Sequence, residues 1–258
     1  GYRPGGKRIT WLLSLGAVAT ILCRLTLRSR LKIARPSVNR SRGTVPGVYR
    51  RGDIMQTRAR AASPTTADGP KVVVCIADGS EEIETSGIYD TLIRGGVNAI
   101  LAKVGGGDLK CKMSRGMTFV ADTHLEDFKD NNCDMVVLPG GLPGAQAFAN
   151  SPKLLSMLKD RKEKGEWYAA ICASPAVVLE PNGLLPKSAT CFPKLQEKII
   201  GSISNDPSSR VVIDNESRVV TSQGPGTTLE FSVELLRILV GEEEANKVAE
   251  GLLIKSSL

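Results

Sequence analysis

The chain has 258 residues, enough for one large domain or two small ones, and a formal net charge of +7. The charge is unevenly placed: residues 1–62 carry 14 Lys/Arg and a single acid, Asp53, whereas residues 63–258 carry 20 Lys/Arg against 26 Asp/Glu. The body has no basic excess to offer phosphates, which excludes nucleic acid as a partner inferred from charge. One histidine and six dispersed cysteines without a CxxC pair argue against a metal site or a Ser-His-Asp triad.

Trp11–Cys23 is a short apolar run flanked by Lys7-Arg8 and Arg24. It is shorter than the roughly 20 apolar residues of a membrane span and has the length of a signal-peptide core. Residues 24–62 are rich in Arg, contain several Ser/Thr and almost no acid, which is transit-peptide composition. Residues 1–62 are therefore expected to be a targeting presequence, with Ala59-Arg60-Ala61-Ala62-Ser63 as a processing zone and residues 63–70 as a linker. A plastid destination is favoured. A mitochondrial one, a two-part presequence with a secretory first step, and a retained anchor stand as alternatives. The mature body is expected to make no stable membrane association.

At Lys71 the pattern changes. Residues 71–77 are continuously apolar and β-branched, as in a strand buried on both faces. Asp78-Gly79-Ser80 turns the chain, and Glu81 to Arg94 reads as a helix with acids in its first turn and Gly95-Gly96 as its stop. Val97–Val104 is a second strand, Gly105–Asp108 a turn, and Leu109–Val120 a hairpin or two short strands. Cys133–Leu138 is another buried strand ending in Pro139-Gly140-Gly141. Pro143–Asn150 and Pro152–Lys164 follow as helices. Trp167–Ile171 is a strand, Pro175–Leu179 opens a helix, and Ser188–Phe192 is a short strand. Val211–Ile213 and Val219–Ser222 form a hairpin, and helices cover Thr227–Val240 and Glu242–Glu250. Alternating strands and helices predict an α/β fold: one domain over residues 71–258 with a doubly wound, mostly parallel sheet sandwiched by helices. Ligands of such sheets bind outside the carboxyl ends of the strands. Four loops lie there: Asp78–Glu84, Pro139–Gly144, Cys172–Pro175 and Gly224–Thr227.

Cys172 follows a strand directly, sits among small residues, and precedes a proline suited to the first turn of a helix. This is a nucleophile-elbow pattern with Cys in place of Ser, and a helix N-terminus favours a thiolate. The plain alternative is a buried core cysteine. Glu84 lies within Glu81-Glu82-Ile83-Glu84; in a partly apolar site its carboxyl would stay protonated and donate to a thiolate. The alternative is a solvated first turn. Gly140, Gly141 and the Ala173 amide can form an oxyanion hole, or an ordinary turn. Gly105-Gly106-Gly107 lacks the Lys and helix start of a phosphate loop. Pro225, in Gly224-Pro225-Gly226, can wall a pocket, and His124 reads as a loop or cap residue.

Four stretches stand in order: Ala77-Asp78-Gly79-Ser80-Glu81-Glu82-Ile83-Glu84-Thr85, Val137-Leu138-Pro139-Gly140-Gly141, Ala169-Ala170-Ile171-Cys172-Ala173, and Ser222 to Phe231. Together they resemble the ThiJ/PfpI superfamily, closest to its Parkinson-disease deglycase (DJ-one) branch in a plant- or algal-like single-domain form. The resemblance covers residues 71 to about 254. It implies a flavodoxin-like sandwich pairing into a homodimer. Cys172 matches the reactive cysteine and Glu84 the carboxyl that hydrogen-bonds it. Gly140, Gly141 and Ala173 match the backbone donors, and Arg115 a basic residue beside the site or the dimer seam. Where many members carry a His before a Pro, this chain has Phe192 in Cys191-Phe192-Pro193. That removes the obvious proton carrier and argues against proteolysis. Cys191 invites a resolving-cysteine role, but strand alternation turns it away from Phe192 and the site.

The implied function is a cysteine-dependent glyoxalase or deglycase, with no cofactor and no metal, acting on methylglyoxal, glyoxal or their early adducts. The alternatives are a redox-sensing, stress-protective chaperone working through oxidation of Cys172, and an inactive structural relative.

Overall fold

The computed structural model of the chain describes residues 69–128, 132–202 and 208–254. The expected presequence and most of the expected linker lie outside the described residues. No helix among the described residues is long and apolar enough to cross a membrane.

Apolar runs make the sheet. β1 (Lys71–Ile76), β6 (Met135–Leu138), β7 (Trp167–Ile171) and β9 (Val219–Ser222) are buried almost throughout, as strands covered on both faces must be. With β2 (Asn98–Lys103), β5 (Thr123–His124) and β8 (Val211–Asp214) they form one sheet in the order β5-β2-β1-β6-β7-β9-β8. All pairings are parallel except the β8–β9 hairpin. A separate two-stranded hairpin, β3 (Lys110–Lys112) with β4 (Thr118–Val120), occupies the span expected to hold one. The order of the parallel strands is flavodoxin-like. The chain winds from β1 outward to β2, then crosses back to β6 on the other side. In sheets of this order ligands bind at that switch, outside the carboxyl ends of β1 and β6.

Helices cover both faces. α1 (Glu82–Arg94) packs on α4 (Thr228–Val240), which packs on α5 (Glu242–Gly251). α2 (Leu142–Ala149) packs against the 175–179 turn and against α3 (Pro152–Lys164), which lies on β7. α1 and α4 approach so closely that a Cβ at Gly87 would stand 2.7 Å from Thr228 Cγ2. At the amino ends of the strands Arg161 is fully buried. It donates from Nε to Trp167 O (2.8 Å), from Nη1 to Cys133 O (2.9 Å) and from Nη2 to Asp134 O (2.7 Å).

Two expectations need correction. Ser188–Phe192 is not a strand: only Ala189 makes an isolated bridge. The backbone donors of this segment go to three unrelated partners, Ser202 O, Thr221 Oγ1 and Cys172 O, so no ladder forms. The helix expected from Pro175 is a single π-turn, Pro175–Leu179, followed by a 3-10 turn, Glu180–Asn182. Pro181 supplies no N–H to extend it, and Gly183 closes it with φ +65°.

Candidate active site

β7 delivers Cys172 to the carboxyl edge of the sheet. Its N–H still pairs with Ser222 O at 3.0 Å, and its carbonyl accepts from Phe192 N at 2.8 Å. Between those two bonds the backbone turns sharply. Cys172 has φ +64°, one of three described non-glycine residues in that region. The left-handed region costs a side-chain-bearing residue of order 1–3 kcal/mol, and such strain gathers where a side chain must be aimed. Ser174 pins the turn from behind, donating its hydroxyl to Pro139 O at 2.5 Å.

The Asp78–Glu84 loop supplies the carboxyl. Glu81 caps α1, its Oε2 accepting the Glu84 N–H at 2.8 Å. Glu84, fully buried, then points to the sheet end, where Gly140 N–H donates to its Oε2 at 2.6 Å. Its Oε1 is buried with no hydrogen-bond partner. Gly140 fills the space between the two reactive groups. A Cβ there would stand 2.5 Å from Cys172 Cβ, 2.8 Å from Glu84 Oε2 and 2.9 Å from Cys172 Sγ. Gly141, at φ +83°, carries the chain over the Gly79 carbonyl.

The electrostatics follow from burial. Burial pushes the Glu84 carboxyl up to about 7. The Gly140 amide and the Cys172 hydrogen bond oppose the rise, and the Glu81 charge adds to it. Burial also pushes the Cys172 thiol up to about 12, with the Glu84 charge and hydrogen bond adding, while the Gly141 and Ala173 amides pull it down. The Glu84 charge raises Cys172, whereas Cys172 lowers Glu84 through its hydrogen bond, so a thiolate is costliest once Glu84 is ionised. The pair therefore behaves as one unit that tolerates a single negative charge.

The DJ-1/PfpI family model matches residues 70–238, which takes in every strand and loop of this arrangement. The chain belongs to the DJ-1/PfpI family. Protein DJ-1 homolog B of Arabidopsis thaliana is 42% identical over 186 residues, 72% of this chain and 41% of the relative. The chain thus spans less than half the length of that plant protein. The glutathione-independent glyoxalase DJR-1.2 of Caenorhabditis elegans is 34% identical over 67% of this chain and 90% of the relative. Among solved structures, oxidized Toxoplasma gondii DJ-1 aligns with a TM-score of 0.67 and 38% identity. It covers 71% of this chain and 98% of that one.

The site residues that the family resemblance implies fall into two groups. Cys172, Glu84, Gly140, Gly141 and Ala173 come together, with the Gly140 N–H spent on Glu84 rather than on the sulfur. Phe192 stands beside the Gly224 turn, its Cδ2 3.6 Å from where a Gly224 Cβ would be. Cys191 turns instead into a small cluster with Ala176, Ala189 and Ile199. Arg115 is exposed in the β3–β4 turn, and its main-chain N–H, not its guanidinium, donates to Glu82. Pro225 lines a groove with Ile83, Leu229 and Leu253 that contains neither Cys172 nor Glu84. His124 starts the 3-10 turn Leu125–Asp127 on edge strand β5, with β2, β1 and β6 between it and β7.

Sequence reasoning missed two of the acids. Glu81 is a cap. Glu82 anchors the β3–β4 hairpin, accepting from Ser114 Oγ (2.9 Å) and from the Arg115 and Met117 amides. Burial pushes the Glu82 carboxyl up, but those three donors together with its own amide outweigh it and hold the group below its usual range. The only sequence signal for either role was three glutamates within four positions.

Proposed function

We propose that the protein is a cysteine-dependent glyoxalase that converts methylglyoxal or glyoxal, free or as early adducts, to the hydroxy acid. One observation carries this reading: Cys172, on a strained backbone, has its Sγ beside a single buried carboxyl, Glu84, with the Gly141 and Ala173 amides pulling the thiol down. The Glu84 carboxylate takes the Cys172 proton as the sulfur attacks the aldehyde carbon, and the C=O pair moves to oxygen, where the Gly141 and Ala173 amides hold the oxyanion. Protonation from Glu84 gives a hemithioacetal. Glu84 as carboxylate then takes the C1 proton, forming an enediol, and returns a proton to C2. C1 is oxidised and C2 reduced, so the step is redox-neutral. Water cleaves the resulting thioester to release lactate from methylglyoxal and regenerate the thiol. The same chemistry fits the activity in the name of the Caenorhabditis elegans relative.

A homodimer is part of the proposal. Ile83, Met117, Val120, Leu229 and Leu253 are exposed apolar residues around α1, β4 and α4, and a second copy would cover them. Sedimentation velocity tests this, and a monomer at micromolar concentration overturns it. A plastid destination, proposed from composition alone, is tested by a fluorescent fusion of residues 1–70. Lactate formation from methylglyoxal by the purified full chain tests the activity. Equal rates for the parent and Cys172→Ala sink it.

A second reading has its own support. The amides and the Glu84 carboxyl can equally hold oxygens on an oxidised sulfur, and one matching structure is of an oxidized protein. Peptide mass spectrometry after mild peroxide separates the two. A redox sensor requires Cys172 to be the first cysteine oxidised.

A further inference from the structure

Glu81 touches neither the thiol nor the space a substrate would fill, yet it closes a ring of hydrogen bonds around them. Its Oε2 accepts from Glu84 N at 2.8 Å, its own N–H donates to Gly140 O at 3.0 Å, and Gly140 N–H donates to Glu84 Oε2 at 2.6 Å. Two loops thereby fix one another through three residues. The ring is shielded from solvent, with Glu81 7% and Glu84 0% exposed. Capping the helix requires no charge, since Ser and Asn cap as well as Asp. The charge at Glu81 is therefore surplus to the cap, and it is buried beside a carboxyl.

We infer that Glu81 is the positioning residue of this site: its side chain on the Glu84 amide and its own amide on Gly140 O fix where the Glu84 carboxyl stands against Cys172, with a buried charge beside that carboxyl. The inference rests on reading Cys172 and Glu84 as the reacting pair. The groups that act on Glu84 are the Gly140 amide after β6, Cys172 at the end of β7, and Glu81 on its own segment; no cation is among them. A negative Glu81 makes a charge on Glu84 costlier, so neutralising it eases the deprotonation of Glu84, the first of the pair to ionise.

The test is the pH profile of Cys172 alkylation by iodoacetamide in the full chain, read by peptide mass spectrometry. Parent, Glu81→Gln and Glu81→Asp are compared. Glutamine keeps an oxygen to accept the Glu84 amide and loses the charge, whereas aspartate keeps both. The Glu81→Gln profile is expected to move to lower pH by about one unit, and the Glu81→Asp profile to stay with the parent. Thermal midpoints and the inertness of buried Cys75 report that each variant is folded. If Glu81→Gln does not fold, Glu81→Ser, an uncharged cap, takes its place. A superimposed profile for the uncharged variant overturns the inference, and so does an equal displacement in Glu81→Asp. Lactate is not the readout, so a shifted profile in a protein that forms no lactate sinks the proposed activity alone.

Discussion

Gly140 donates its amide to Glu84 at 2.6 Å while its missing side chain leaves room for Cys172 Sγ. One residue thus spaces the carboxyl from the thiol and hydrogen-bonds one of them. Gly140→Ala places a Cβ 2.5 Å from Cys172 Cβ, a clash that backbone movement alone relieves. Overpacking of this kind costs about 1–3 kcal/mol, and the displaced loop also loses the Glu84 bond. The alkylation rate of Cys172 and lactate formation are both expected to fall at least tenfold. The thermal midpoint should drop only modestly, because the sheet beneath is untouched.

Glu84 makes stability depend on pH in a defined direction. Its folded value is raised from 4.5 to about 7, so the buried neutral form is fully accommodated below about 4.5. That contribution is lost as pH rises through 7. The loss amounts to about 3 kcal/mol between pH 4.5 and 7, and the curve flattens above. Glu84→Gln has no proton to lose there. Urea unfolding at pH 4.5, 6 and 8 should show the parent losing stability relative to Glu84→Gln over that window. Parallel curves would show that Glu84 titrates normally.

Much of this was legible in the residues, for physical reasons. β1, β6 and β7 are apolar on both faces, so they announce themselves as central parallel strands, and the loops at their carboxyl ends followed from topology. The φ of Cys172 did not follow. A positive φ at a non-glycine residue is imposed by the tertiary bonds to Ser222 and Phe192, and small neighbours only permit it. Ser188–Phe192 has strand-like composition, but its backbone donors are drawn to Ser202 O, Thr221 Oγ1 and Cys172 O, which lie on no single strand edge. The roles of Glu81 and Glu82 depend on which way each side chain leaves the helix start, toward the Glu84 amide or toward the hairpin. Adjacent identical residues carry no such information.

Arg161 was hidden for the same kind of reason. It sits in Lys159-Asp160-Arg161-Lys162, which reads as a solvated helix face, yet it is fully buried. Its guanidinium serves the carbonyls of Cys133, Asp134 and Trp167 and pairs with Glu166 at 3.3 Å. Arg161→Ala would leave those buried acceptors unpaired at the starts of β6 and β7. A loss of about 3 kcal/mol is expected, from three backbone carbonyls left without their donor, because Glu166 itself is part-exposed. Urea unfolding measures it, with Lys162→Ala as the surface control. A loss near that control's would show that water replaces the guanidinium.

Phe192 decides how the site moves protons. Its N–H is tied to Cys172 O at 2.8 Å, and its ring lies against the Gly224 turn, so the side chain at 192 is held close to the end of β7. With an aromatic hydrocarbon there, Glu84 is the one acid/base group among the described residues that acts on the thiol, and both proton transfers of the proposed reaction fall to it. Phe192→His supplies an imidazole whose ordinary value is about 6.5. Neutral imidazole accepts the thiol proton, and the imidazolium so formed offsets the thiolate's charge beside Glu84, so the thiolate forms at lower pH. Cys172 alkylation at pH 7 should rise about tenfold in Phe192→His, with a new ionisation near 6–7 in its pH profile. The Glu84→Gln, Phe192→His double variant should keep that limb and lose lactate formation, because the imidazole activates sulfur while Glu84 carries the proton between carbons. Lactate formation retained in the double variant would move the carbon-to-carbon transfer from Glu84 to residue 192.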